Sequence, residues 1–345
     1  MKRIFTADLH IHEYSTDTEI TQEGTSRKLE ELLNAIKQMC DYAVENNILE
    51  IIIGGDLIHH NNIVHARAFS KFKKLLLSYK NISFVAYCGN HEFGKANGTD
   101  NALDLLEDKN IKIIRESTVL ENMTFIPHST NLFDEISNAK PNDILLSHFA
   151  LSEAKTDSGL CVDSKFNLKC LKKFKMVLIG DYHTPQNIEK KWKDGGSTMV
   201  YYPGSPIPFT RAEIEDKRFL VFDNKTMVVE SVPIIGYRKY YNIEINDNTD
   251  IKNTVDEIKR LKTLGHYVVV RKNIKDTPKE MESLMESVIY VDEYEDDCIN
   301  RGICSTQSDG DQFVKYMDIM KIPEKQRPEF LNVLMSAVEK RKTIQ

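Results

Sequence analysis

The stretch Leu49-Glu50-Ile51-Ile52-Ile53-Gly54-Gly55-Asp56-Leu57-Ile58-His59 is a β-branched run that stops on two glycines and then presents an acid and a histidine. Such a run reads as a buried strand, because branched side chains suit a pleated surface. Gly55 fits a tight turn, where glycine accepts backbone angles that other residues resist. Asp56 then stands at the carboxyl end of the strand, which is where open α/β sheets place their ligands.

The same pattern recurs along the chain. The apolar strand Ile4–Ala7 runs into Asp8-Leu9-His10, and Ile82–Tyr87 runs into Cys88-Gly89-Asn90-His91-Glu92. A strand near Asp143–Leu146 leads to Ser147-His148, and Met176–Ile179 leads to Gly180-Asp181-Tyr182-His183. An isolated Asp-x-His is most often an ordinary strand end, and an isolated Gly-Asn-His is most often a turn. Five strands that each deliver Asp, Asn or His at the same end are a different matter, and they point to one shared site.

Between the strands the apolar spacing is helical. Thr25 or Ser26 is suited to cap a helix carrying Leu29, Leu32, Leu33, Ile36 and Met39, a second helix covers 66–77, and a third is expected from an Asp100 cap through Leu106. Further strands are expected at Ile111–Ile114, Met199–Tyr202, Arg218–Phe222 and Met227–Val232. Strand and helix in alternation predict an α/β layered fold. After Pro233, Tyr240–Ile245, a charged helix near Thr249–Leu264 and Tyr267–Arg271 form a small β-α-β unit. An amphipathic helix near Lys279–Met285, an acidic stretch from Asp292 to Asp297, and helices around Phe313–Met320 and Pro328–Lys340 follow. The expected division is 1–236, 237–300 and 301–345.

The composition, with 41% hydrophobic and 28% charged residues in 345, is that of an ordinary globular protein. No run approaches the roughly 18–20 apolar residues of a membrane span. Met1-Lys2-Arg3 passes straight into the first strand and an acid, too early for a secretory signal, so a cytoplasmic protein is expected. The six cysteines are scattered without a CxxC pair, which suits free thiols in a reducing compartment. Cys298 and Cys304 are the nearest pair, but no second Cys/His pair accompanies them. The net charge of −6 neither advertises nor excludes a nucleic-acid substrate, because metal-binding carboxylates contribute to it and bound cations invert the local field.

Carboxylate, imidazole and amide oxygen suit hard to borderline divalent ions such as Mn²⁺, Mg²⁺, Fe²⁺ or Zn²⁺. An Asp between two ions can bridge them. Two ions about 3.5–4 Å apart can clamp a phosphate and activate water toward it.

The run Asp-x-His, Gly-Asp, Gly-Asn-His-Glu, His and Gly-x-x-His resembles the calcineurin-like metallophosphoesterase superfamily. Within it the chain looks most like the SbcD-type nucleases, nuclease subunits of a double-strand-break repair and recombination complex. The resemblance implies a four-layer α/β fold, two β-sheets flanked by helices, with a small β-α-β capping domain and C-terminal helices. It also implies two divalent metal ions, Mn²⁺ foremost. By residue, it implies that Asp8, His10 and His183 hold one metal, that Asp56 bridges, and that Asn90, His148 and Asp181 complete the second. Asp181 is a departure, since the family usually carries His there, in Gly-His-x-His. Aspartate remains a competent oxygen ligand, so an altered metal preference is expected. His91 matches a catalytic histidine that is not a ligand, acting on the scissile phosphate or the departing 3′ oxygen. His59 matches a second non-ligand histidine of the nuclease branch, with His60 beside it as the competing candidate. His12 and His65 carry no assigned role. Tyr202-Pro203-Gly204-Ser205 resembles a site-lining loop, although a plain turn explains it equally well; Arg211 beyond it is a candidate backbone contact for DNA.

The implied activity is that of a DNA exonuclease with single-strand endonuclease activity. The implied partners are DNA, an SbcC-type coiled-coil ATPase bound by the terminal helices, and a second copy of the chain, with 66–77 as a candidate interface. The length suits a bacterial or bacteriophage member. A serine/threonine phosphatase shares two motif blocks but follows its bridging Asp with x-x-Asp-Arg-Gly, where this chain has Leu57-Ile58-His59-His60-Asn61. A small-substrate phosphoesterase and a non-catalytic interaction module on the same fold are the other readings; the last would require lost ligands, and none is missing.

Overall fold

In the computed structural model the described residues are 1–14, 19–60, 63–93, 101–157, 159–274, 279–282, 284, 288–292, 317 and 327–328. They fall into two compact units, Met1–Tyr240 and Tyr241–Gln345.

The first unit contains, in chain order, β1 (Lys2–Thr6), α1 (Arg27–Glu45), β2 (Glu50–Gly54), α2 (Ala66–Ser78), β3 (Ser83–Tyr87), β4 (Ile111–Ile114), β5 (Thr118–Leu120), β6 (Met123–Ile126), α3 (Leu132–Asn138), β7 (Ile144–His148), β8 (Met176–Gly180), β9 (Gln186–Lys191), β10 (Ser197–Tyr202), β11 (Arg218–Asp223) and β12 (Val229–Pro233). One six-stranded sheet runs β12-β11-β1-β2-β3-β4, and a second runs β5-β6-β7-β8-β10-β9. Strands β1 to β4 run parallel to one another, as do β6, β7, β8 and β10, while β11, β5 and β9 join them antiparallel. The carboxyl ends of each parallel set therefore share an edge.

Alternation along β2 shows how the layers form. Ile51 and Ile53 join the cluster under α1 and α2, built on Leu29, Leu32, Ile36, Phe72 and Leu76. Ile52 points the other way, into the layer between the sheets with Phe5, Tyr87, Phe125, Leu146 and Leu178. A third cluster, around Phe149, Phe166, Leu168 and Tyr202, covers the far face of the second sheet together with Leu132 and Ile136 of α3. The result is the expected helix–sheet–sheet–helix arrangement. Truncating a residue such as Ile52 to alanine removes packing from both sheets, worth about 2–5 kcal/mol.

Several local expectations shift. Ser26, not Thr25, caps α1, its hydroxyl accepting from the backbone N–H of Leu29. The expected helix up to Leu106 is a single 3₁₀ turn, Ala102–Leu105, capped by Asn101; Asp100 lies outside the described residues. The final strand of this unit starts at Val229, because Met227 occupies the turn with a positive φ of 61°. Strands β5, β6 and β9 and helix α3 go beyond the sequence expectations: β5, β6 and α3 are short, and β9 is mostly polar, so none carries a diagnostic periodicity.

The second unit contains β13 (Tyr240–Ile245), α4 (Ile251–Thr263), β14 (Tyr267–Lys272), α5 (Lys279–Glu282) and β15 (Ile289–Asp292). Its sheet runs β13-β14-β15, so the expected β-α-β unit gains a third, parallel strand. Val255, Ile258 and Leu261 of α4 pack on Ile245, Val268 and Val270 of the sheet. The acidic stretch 293–297, Cys298, Cys304 and nearly all of the two terminal helices lie outside the described residues.

Candidate metal centre

The site forms where the carboxyl ends of β1, β2, β3, β7 and β8 meet. The chain after β1 is strapped to the chain after β2 by three backbone hydrogen bonds: Asp8 N–H to the carbonyl of Gly55, His10 N–H to that of Asp56, and Ile11 N–H to that of Leu57, at 3.1, 2.8 and 2.7 Å. Asp8, His10, Asp56 and Asp181 all hold positive φ, at 56°, 45°, 49° and 108°. Non-glycine residues rarely adopt this region, and it costs backbone strain. Here it turns four polar side chains out of their strands and into one pocket.

Two glycines are required by proximity. A Cβ on Gly89 would lie 2.2 Å from Asp56 Oδ1, and one on Gly55, at φ 88°, would lie 2.5 Å from His148 Nδ1. Neither position admits a side chain without displacing a polar group of the pocket.

All nine candidate residues come together. His148, fully buried, accepts no freedom: its Nδ1 donates to the carbonyl of Gly54 at 2.8 Å. Its Nε2 faces Asn90 Oδ1 at 3.1 Å, Asp56 Oδ2 at 3.3 Å, Asp181 Oδ1 at 3.8 Å and Asp8 Oδ1 at 3.9 Å. His10 Nε2 lies 3.0 Å from His183 Nε2 and 3.9 Å from Asp56 Oδ2. His91 donates its backbone N–H to Asp56 Oδ1 at 2.9 Å and sets its Nε2 3.8 Å from Asp56 Oδ2. Its side chain is 36% exposed, against 4% or less for His10, His148, Asp8 and Asp56, so it stands at the open rim. His59 sits beside it, ring centroids 5.8 Å apart and 5.3 Å from His10. His12 and His65 stack edge-to-face at 4.2 Å next to His59 and His60, which places them outside the pocket proper. Arg211 is exposed.

Burial governs the charge states. It pushes the Asp8 carboxyl up to about 7 and raises Asp181. Burial also works against ionisation of Asp56, but the His148 imidazole beside it holds that carboxyl well below its ordinary range. Burial holds His10 well below the ordinary imidazole value and lowers His12 and His59 to about 4. For His183, burial opposes protonation while the hydrogen bond to Glu213 outweighs it, giving about 9.

Two buried carboxylates (Asp8 and Asp56), the half-buried Asp181, three imidazoles and an amide oxygen in one pocket form a donor set that fits divalent cations, whose charge would offset the cost of ionising the acids together. Ligand atoms of Asp8, His10 and His183 lie within 4.8 Å of one another, as do those of Asp8, Asp56 and His148. Asp8 falls in both groups, although reading the sequence placed it with one ion alone.

Two further carboxylates, Glu92 and Glu213, to which the sequence motifs assign no role, belong to the surroundings of the site. Glu92 is buried and accepts three backbone N–H groups, from Asp56 at 3.0 Å, Gly89 at 2.8 Å and Ile58 at 2.6 Å. It ties the loop after β2 to the loop after β3. Its place in Gly-Asn-His-Glu was the available signal; Glu213, on an irregular segment, offered none.

The chain belongs to the calcineurin-like phosphoesterase family, whose model matches residues 1–229. This is a family of metal-dependent hydrolases with a dimetal centre. No curated protein matches the chain. Among solved structures it is similar to the nuclease MPE of Pseudomonas putida (17% identity, TM-score 0.31, covering 63% of this chain and 83% of that one). It is also similar to a dimetal phosphatase from Danio rerio (10%, 0.38, 68% and 99%) and to the NAD nucleotidase of Haemophilus influenzae (12%, 0.35, 83% and 59%). Among the described residues no helix is long and apolar enough to cross a membrane.

Proposed function

We propose that the chain is a two-metal DNA nuclease of the SbcD type, an exonuclease with single-strand endonuclease activity that serves in the cytoplasm as the nuclease subunit of a repair and recombination complex. The observation that supports this reading is the position of two imidazoles, His91 and His59, at the rim of the carboxylate–imidazole pocket. In the position where a phosphatase of the family would carry its arginine run, this chain supplies His59.

In this reading Asp8, His10 and His183 would hold one divalent cation and Asn90, His148 and Asp181 the other, with Asp56 serving both. Mn²⁺ is the favoured ion. The pair supplies Lewis acidity toward phosphate and water. His91 contributes the proton chemistry. Its Nδ1 donates to the carbonyl of His59 at 2.6 Å, so Nε2 is the atom free to accept or deliver a proton. Asp56 fixes the backbone of His91 and thereby couples that imidazole to the metal pocket. DNA, a coiled-coil ATPase of the SbcC type and a second copy of the chain, meeting through α2, are the proposed partners, with the second unit as a proposed DNA-binding domain.

The test is cleavage of end-labelled linear duplex and single-stranded DNA with Mn²⁺, beside His91→Ala and a phosphomonoester. Manganese-dependent DNA cutting lost in the variant supports the nuclease. Turnover of the monoester alone moves the chain to the phosphatases, and inertness toward both, with or without an ATPase partner, defeats the reading.

A further inference from the structure

We propose that Glu213, backed by Lys217 and Ser205, is a positioning residue that fixes His183 for cation binding, so that the segment between β10 and β11 controls occupancy of one metal site. The inference rests on the two-cation reading above.

The imidazole of His183 is held from behind. Its Nδ1 lies 3.1 Å from Glu213 Oε1, and a carboxylate oxygen there can only accept, so the Nδ1 proton points at Glu213. The remaining nitrogen, Nε2, is the one that faces His10 Nε2 at 3.0 Å. Glu213 thus selects the tautomer whose free lone pair looks into the pocket, the role that outer carboxylates play behind metal-binding histidines.

Glu213 is itself immobilised. Oε1 also accepts the backbone N–H groups of Phe209 at 3.0 Å and Thr210 at 2.9 Å. Oε2 takes the Ser205 hydroxyl at 2.8 Å and Lys217 Nζ at 2.5 Å. All three side chains are buried, at 1% exposure or less. Lys217 Nζ and the Ser205 backbone N–H both donate to the carbonyl of His183, at 3.0 and 3.1 Å. One network therefore grips His183 at its ring and at its backbone. The same segment lays the ring of Phe209 against His10 and His183, centroids 5.4 and 5.6 Å away. A buried Lys–Glu pair is an expensive way to gain stability, whereas rigid orientation of a ligand is what such a network provides.

The experiment compares wild-type protein with Glu213→Gln, the double variant Glu213→Gln/Lys217→Met, and His183→Ala. Co²⁺ affinity is read by calorimetry, the cobalt visible spectrum reports coordination, and Tm is measured without cation. Both Glu213 variants are expected to bind Co²⁺ about 10–100-fold more weakly at one of two sites, with an altered spectrum. The double variant is expected to recover the Tm lost in the single one, because no unpaired charge stays buried. A double variant with wild-type Tm, affinity and spectrum overturns the proposal, provided His183→Ala is impaired. If His183→Ala also binds cobalt normally, the two-cation reading itself has failed. Should neither Glu213 variant fold, nitrogen-15 spectra of the zinc-loaded wild-type protein decide: a proton on His183 Nδ1 is expected, and a proton on Nε2 overturns the proposal.

Discussion

His10 and His183, 173 residues apart in sequence, present their Nε2 atoms to each other at 3.0 Å. Two ring nitrogens at that separation, one on the strap after β1 and the other after β8, join the two sheets at the point where Asp8 also reaches the backbone N–H of Asp181 at 3.0 Å. The pocket is thus a joint between the two sheets.

Asp56 touches both halves of the pocket, His10 on one side and His148 on the other. Asp56→Asn is expected to abolish cleavage and to weaken cation binding at both sites by more than the about 10–100-fold that loss of an outer partner costs. Metal analysis after gel filtration in Mn²⁺ checks it; two retained ions per chain would contradict the bridging role.

His91 contacts the pocket through Asp56 yet remains open to solvent. His91→Ala is expected to slow cleavage by about 10²–10⁴-fold, the usual worth of a positioned acid or base, while Mn²⁺ and DNA affinity stay within a few fold. Rate, calorimetry and a filter-binding assay separate these. Normal turnover would remove His91 from the chemistry.

Glu92 satisfies three buried backbone donors at once. Glu92→Ala leaves all three without a partner, at about 1–3 kcal/mol each, so unfolding in urea is expected to show a loss of at least about 3 kcal/mol. A change below about 1 kcal/mol would mean that the two loops are held by other means.

Cation binding must displace protons. In the cation-free chain the Asp8 carboxyl is raised to about 7 and His183 to about 9, so near neutral pH both carry protons that a cation has to expel. The apparent Mn²⁺ affinity is therefore expected to climb as pH rises from 6 toward 9, as these protons are lost. Calorimetry in buffers of different ionisation enthalpy reports the release directly, and an affinity flat across this range would exclude it.

The alternating strands, their carboxyl-end polar residues and the α/β class are legible in the residues alone, because these are local: β-branched runs, glycine turns and helical spacing are carried by neighbouring residues. Strand β2, expected at Leu49–Ile53 and found at Glu50–Gly54, was legible to within a residue. Helix α1 was legible to within a residue of its cap. The rest depends on long-range packing. Strands of four residues or fewer, such as β5 and β6, carry too little periodicity to be recognised until a neighbouring sheet pairs with them. That Asp8 belongs to two ligand groups follows from the sheet-to-sheet joint, which no spacing encodes. Glu92 closes the loops and Glu213 stands behind His183 for a similar reason: a buried carboxylate acquires its partners only when segments far apart in the chain are packed together and its lone pairs must be satisfied.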